Sequence, residues 1–195
     1  MQLFNGLTID EVIERQSILF ERLYVATETY SLLYNCYVNC IRKKERDGGE
    51  IVVGWRRERA TNVDGPEIMW MLTHHAVWKP EGGQAIDITP QRKLINGKME
   101  IERPNYVDFM PDTSATFVDL ENPRSPVHIP SAPDAFGYLK EACNLMDKRH
   151  ALARAADLEQ TTKYNAEIGR VGDEVGRLVN AHMKRLQQEI NQQKH

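Results

Sequence analysis

The chain has 195 residues, 41% of them hydrophobic and 27% charged, the balance of a folded domain able to bury a core without disulfides. A formal charge of −3 argues against a protein built to neutralise phosphates, and no run approaches the roughly 18 apolar residues of a membrane span. The first residues lack a basic segment followed by an apolar one, and the three cysteines (Cys36, Cys40, Cys143) are an odd number; reduced thiols, no secretory leader and a cytoplasmic location are expected.

The first element is a helix. Thr8 and Glu11 have the spacing of a capping box, and apolar residues at Ile9, Val12, Ile13, Ile18, Leu19, Leu23 and Tyr24 follow at helical intervals. A second helix is expected from a cap at Asn35 to the basic cluster Arg42-Lys43-Lys44, with Gly48-Gly49 ending it. Basic residues there suit the helix dipole, so the cluster is not read as a nucleic-acid patch.

The periodicity then changes. Residues 50–56 read as a strand, Glu67 to Trp78 as a second and Gln84 to Thr89 as a third, with a loop at Asp64-Gly65-Pro66. The connections are too short for crossover helices, so an antiparallel sheet is expected. Arg92 to Ile101 offers one hairpin around Asn96-Gly97, and the proline-rich remainder up to residue 135 reads as ordered loop. From Asp134 the chain reads helical. Gly169, Gly172 and Gly176 share a face, which implies close packing by another helix or a second copy, or else a bend near 169–176. The expected division is a core over residues 1–135 and a helical extension over 136–195.

Three residues in this frame suggest chemistry. Cys36 follows the cap Asn35, and the N–H groups and dipole of a helix start lower a thiol pKa. If Pro80-Glu81-Gly82 is a three-residue loop, Lys79 pairs with Gly83 and His75 falls directly opposite Asp87, where a carboxylate can orient an imidazole. A four-residue loop would offset the pair by one. Cys40, one turn from Cys36, is the alternative thiol, and His74 points to the other sheet face. Cys36, Cys40, His74 and His75 are also zinc-ligand types, but adjacent strand residues face opposite sides, so no metal is expected.

The order Cys36, then His75-Ala76-Val77-Trp78, then Ile86-Asp87-Ile88-Thr89-Pro90 resembles the transglutaminase-like branch of the papain-like cysteine hydrolase superfamily, over roughly residues 30–90. The resemblance implies an α+β papain-like core, with Cys36 as nucleophile, His75 as general base and then acid, and Asp87 as its orienter. It also implies a protein or peptide-like substrate with an amide, isopeptide or thioester bond, and no cofactor. The alternative is a non-catalytic interaction protein that binds a partner or self-associates through its C-terminal helix. No membrane or nucleic-acid partner is expected under either reading.

Overall fold

The computed structural model describes residues 6–32, 35–59, 68–95, 98–102, 105–114, 126–131, 134, 137–159 and 162–192. Among them stand α1 (Ile9–Leu19), β1 (Glu21–Val25), α2 (Cys36–Asp47), β2 (Glu50–Arg59), β3 (Met69–Lys79), β4 (Ile86–Asp87), β5 (Gln91–Ile95), β6 (Lys98–Glu102), β7 (Tyr106–Pro111), β8 (Val127–Pro130), α3 (Tyr138–Glu159) and α4 (Asn165–Gln192). The class is α+β. Packing groups Met1–Arg57 with Thr73–Arg124 in one unit, and Glu58–Leu72 with Ser125–His195 in a second. Residues 68–72 and 126–131 therefore group with the helices.

In the first unit five strands close on themselves in the order β2-β7-β1-β4-β3, with β3 returning to β2. The antiparallel expectation holds for β3–β4, β1–β7 and β2–β7 and fails for β1–β4, which pair in parallel with Tyr24 opposite Ile86 and Val25 opposite Asp87. The cause is β1. The helical spacing extends the first helix to Leu23 and Tyr24, yet α1 stops at Leu19 and the next residues alternate, with Leu23 and Val25 buried. A parallel pair needs a long crossover, and α2, β2 and β3 supply it. The barrel interior is filled by Leu23, Val25, Val77, Val107 and Phe109.

The helix starts and stops follow local chemistry. The Thr8–Glu11 capping box is present in both directions. Helix α2 ends where Gly48 takes φ 72°, a left-handed conformation that suits glycine. Lys43 pairs with Glu28 and Asp47, while Arg46 pairs with Asp47 and covers the Tyr30 ring, so these cations are already met by carboxylates. One face of α2 packs Cys36, Tyr37 and Cys40 against Ala76, Trp78 and Ile88.

The β5–β6 hairpin forms with Arg92 opposite Ile101, as its residues suggest; Asn96-Gly97 and Asp64-Gly65-Pro66 lie outside the described residues. Strands β7 and β8 correct the loop expectation for 102–135. Val107 and Phe109 complete the barrel core, and β8 tolerates Pro130 because it lies at the edge of its sheet.

In the second unit β8 pairs with Met69 to Leu72, and α3 and α4 pack Leu139, Ala142, Cys143, Met146, Val175 and Leu178 around Ile68 and Met69. The helical stretch is broken before Asn165, whose N–H donates to the Thr162 carbonyl, and α4 runs unbroken through 169–176. The glycine face is not closely packed within the described chain. A Cβ on Gly169 or Gly176 would meet nothing within 4 Å, and one on Gly172 would meet only the Arg149 side chain. Among the described residues no helix is long and apolar enough to cross a membrane.

Two glycine substitutions are expected to have opposite signs. Gly169→Ala removes a helix-interior glycine with open space around it and should stabilise by roughly 0.5–1 kcal/mol. Gly54→Ala sets a Cβ 2.7 Å from Phe109 Cζ and closer still to the Met110 carbonyl oxygen, and should destabilise by about 1–3 kcal/mol. Urea midpoints of the two variants against the parent chain check both signs.

Candidate functional site

Cys36 is the first residue of α2 and is buried. Asn35 does occupy the N-cap position, but its side chain makes no capping bond. The entry to α2 is held instead by Asn39, a fully buried residue outside the sequence-predicted set. Its Oδ1 accepts from the Leu32 N–H at 2.7 Å, and its Nδ2 donates to the Leu32 carbonyl at 2.8 Å and to Thr89 Oγ1 at 3.3 Å. A buried asparagine one turn beyond a candidate nucleophile, on an otherwise apolar helix face, is the signal that would have found it.

His75 and Asp87 meet, though not in the expected register. Gly82 is left-handed, at φ 68°, but Gly83 folds back with its N–H donating to the Pro80 carbonyl, so close to the proline ring that a Cβ would not fit. The chain rejoins the ladder at Ile86, opposite Trp78. That register sets Asp87 across from Val77, two residues from His75 along β3. A displacement of two residues keeps both side chains on one face, and diagonal neighbours remain within reach of long side chains. Asp87 Oδ2 lies 3.0 Å from His75 Nε2, off the N–H axis, as a close ion contact. The other carboxylate oxygen, Oδ1, accepts the Thr89 N–H at 2.9 Å.

The His75 imidazole and the Ala76 N–H are the groups that act on the Cys36 thiol and favour its ionised form. Burial works against every charge in this group, and the partners outweigh it. Burial would raise the thiol pKa, but the charge and hydrogen bond of His75 bring it below its ordinary value. Burial would likewise strip His75 of its proton, yet Asp87 on one side and Cys36 on the other raise it to about 10. Asp87 is held below the carboxylate range against its own burial by His75, by the Thr89 N–H and by Arg56. All three shifts run towards the charged form of the group.

The alternatives separate. Burial, with the negative charges of Cys36 and Asp87, pushes the Cys40 thiol up, and burial beside Asp147 and Asp134 does the same to Cys143. His74 turns away as expected: its Nδ1 lies 2.6 Å from Tyr37 Oη and its ring packs edge-on to Trp55. Among the described residues no group of three or more histidine, cysteine or acidic side chains is arranged to hold a metal ion. Tyr30, six residues before the cysteine, lies under Arg46, ten residues past the thiol on α2. His128, which has no visible partner in the sequence, is paired through Nδ1 with Asp147 at 2.7 Å in the helical unit. No family model, curated protein or solved structure matches the chain.

The three shifts set a pH dependence. His75 is raised, so its contribution to stability is complete below pH 6.5 and lost as pH climbs towards about 10. Cys36 is lowered, so its contribution grows with pH and is complete above 9.0. Asp87 is lowered, and its contribution disappears as pH falls below 3.8. The first two offset one another through neutrality. Between pH 6.5 and 9 the two contributions therefore run in opposite directions, so unfolding free energy should fall less steeply there in the parent chain than in Cys36→Ala. In Cys36→Ala the offset is gone and the decline should begin near pH 6.5. Denaturant titrations of both chains across pH 5–10 check this.

Proposed function

We propose that this chain is a cysteine hydrolase or acyltransferase with a papain-like arrangement of Cys36, His75 and Asp87, acting on an amide, isopeptide or thioester bond of a protein or peptide-like substrate. One observation carries the reading: a single buried imidazole stands between a thiol at a helix N-terminus and a buried carboxylate. A structural cysteine in such surroundings resembles Cys40 and Cys143, which burial keeps protonated.

The chemistry follows from the charges. The Cys36 thiolate attacks the substrate carbonyl carbon, a carbon–sulfur bond forms, and the carbonyl electrons move to oxygen. The N–H groups of the first turn of α2 are suited to receive that oxyanion. As the tetrahedral intermediate collapses, the bond to the leaving nitrogen or sulfur breaks and the leaving group takes the proton from His75. The product is a thioester on Cys36. Water, or an acceptor amine or alcohol, then attacks this thioester and gives its proton to His75, and as the carbon–sulfur bond breaks the Cys36 thiolate is released, restoring the starting ion pair. Asp87 holds the ring orientation and stabilises its charged form throughout.

The test reads each cysteine separately. Iodoacetamide alkylation followed by peptide mass spectrometry should show Cys36 reacting below pH 7, where Cys40 and Cys143 do not, and His75→Ala should abolish that advantage. Against a panel of aryl thioesters and peptide anilides, Cys36→Ala should lose turnover by at least about 10³-fold while its circular dichroism is unchanged. A Cys36 that titrates as an ordinary thiol, or a fully active Cys36→Ala, overturns the reading.

The second reading, a non-catalytic protein that self-associates through its C-terminal helix, draws on the open glycine side of α4. Under it the full chain sediments as a dimer and Gly176→Arg as a monomer. A monomeric parent chain removes this reading.

A further inference from the structure

The polar contacts around the thiol form a circuit that leaves α2 and returns to it within one turn. From Cys36 it runs to His75, from His75 Nε2 to Asp87 Oδ2, and from Asp87 Oδ1 to the Thr89 N–H. Thr89 Oγ1 then accepts from Asn39 Nδ2, and Asn39 lies on the same helix three residues past Cys36. Asn39 also grips both backbone polar groups of Leu32, in the segment leading to the nucleophile. Those two bonds fix which end of the amide is which, because the Leu32 N–H needs an oxygen and its carbonyl needs an N–H. Both Nδ2 hydrogens are then used. Asn39 and Asp87 are fully buried and Thr89 nearly so, so water does not compete for these bonds.

We propose that Asn39 and the Thr89 hydroxyl are positioning residues: they tie the start of α2 to the segment that carries Asp87, and so set the aim of that carboxylate at His75 opposite the thiol. The proposal rests on the Cys36–His75–Asp87 reading above. Neither residue touches the reacting atoms. Each acts through Asp87, whose neighbours across the barrel are His75 on β3 and Arg56 on β2. Without the tie, the Thr89 N–H still meets Oδ1 and Ile88 still packs on α2, but the directional hydrogen-bonded link between the Thr89 side chain and the helix that carries the thiol is lost. The imidazolium is then less well paired, and the thiol loses part of the charge that favours its ionised form.

The experiment is the pH profile of Cys36 alkylation by iodoacetamide in the full chain, for Thr89→Val, Thr89→Ser, Asn39→Ala and the parent. Thr89→Val keeps the shape and the backbone N–H and removes only the hydroxyl. Its Cys36 inflection should rise by about one pH unit, with the alkylation rate at pH 6 falling about tenfold. Asn39→Ala should shift the same way, and Thr89→Ser should restore the parent profile. Folded Thr89→Val and Asn39→Ala chains with the parent profile overturn the proposal and leave the triad standing. A Thr89→Val chain that fails to fold shows the hydroxyl to be structural and also overturns it. A parent chain in which Cys36 titrates as an ordinary thiol overturns the triad and this proposal together.

Discussion

Burying a lone imidazolium in a protein interior costs several kcal/mol, and the cost is met only when opposite charge stands close by. His75 meets that condition on two sides, with Asp87 at Nε2 and the Cys36 thiol against the rest of the ring. Much else in the first unit can be read as what this arrangement requires. The carboxylate has to be buried, so it needs the Thr89 N–H and Arg56 to stay charged. The thiol sits at the start of α2, on the helix face that packs on the sheet. The helix has to be held along its length, and the contact of Cys36, Tyr37 and Cys40 with Ala76, Trp78 and Ile88 does that.

Two neighbouring pairs reinforce one another. Cys36 and Tyr37 are consecutive on α2, His74 and His75 are consecutive on β3, and each helix residue takes one histidine. The Tyr37–His74 contact faces Trp55, whose indole N–H donates to Asp112 at 2.8 Å. The Tyr37–His74 contact therefore ties α2 to the face of β3 that also carries Ala76 and Trp78.

Where local chemistry decided the outcome, the residues were legible. The Thr8–Glu11 box, the glycine stop after Asp47 and the hairpin of β5 and β6 each follow from a few adjacent side chains. The three candidate residues were legible too, as a helix start and two strand positions, and the structure brings them together. What was not legible is non-local. Leu23 and Val25 fit either period, and only the barrel core decides that they belong to a strand. Strands β7 and β8 are short and lie among prolines, and their partners are remote in the chain. The register after Pro80 differs by two residues from that of a three-residue loop, because the packing of Gly83 on the proline ring leaves no trace in the dipeptide pattern. Asn39 was missed because an asparagine inside a helix usually disfavours it, and its reason for being there lies fifty positions on, at Thr89.

The parallel pairing of β1 with β4 also orders events in time. Tyr24 and Ile86 are far apart in the chain, and contacts of that kind form late, because a long loop must close before they return any stabilisation. Asp87 is held in that same ladder, beside Val25. During synthesis the α2 segment leaves the ribosome well before β4 does, so Cys36 spends that interval without its carboxylate partner and with the reactivity of an ordinary thiol. A chain assembled in this order brings thiol, imidazole and carboxylate together only when its topology is complete.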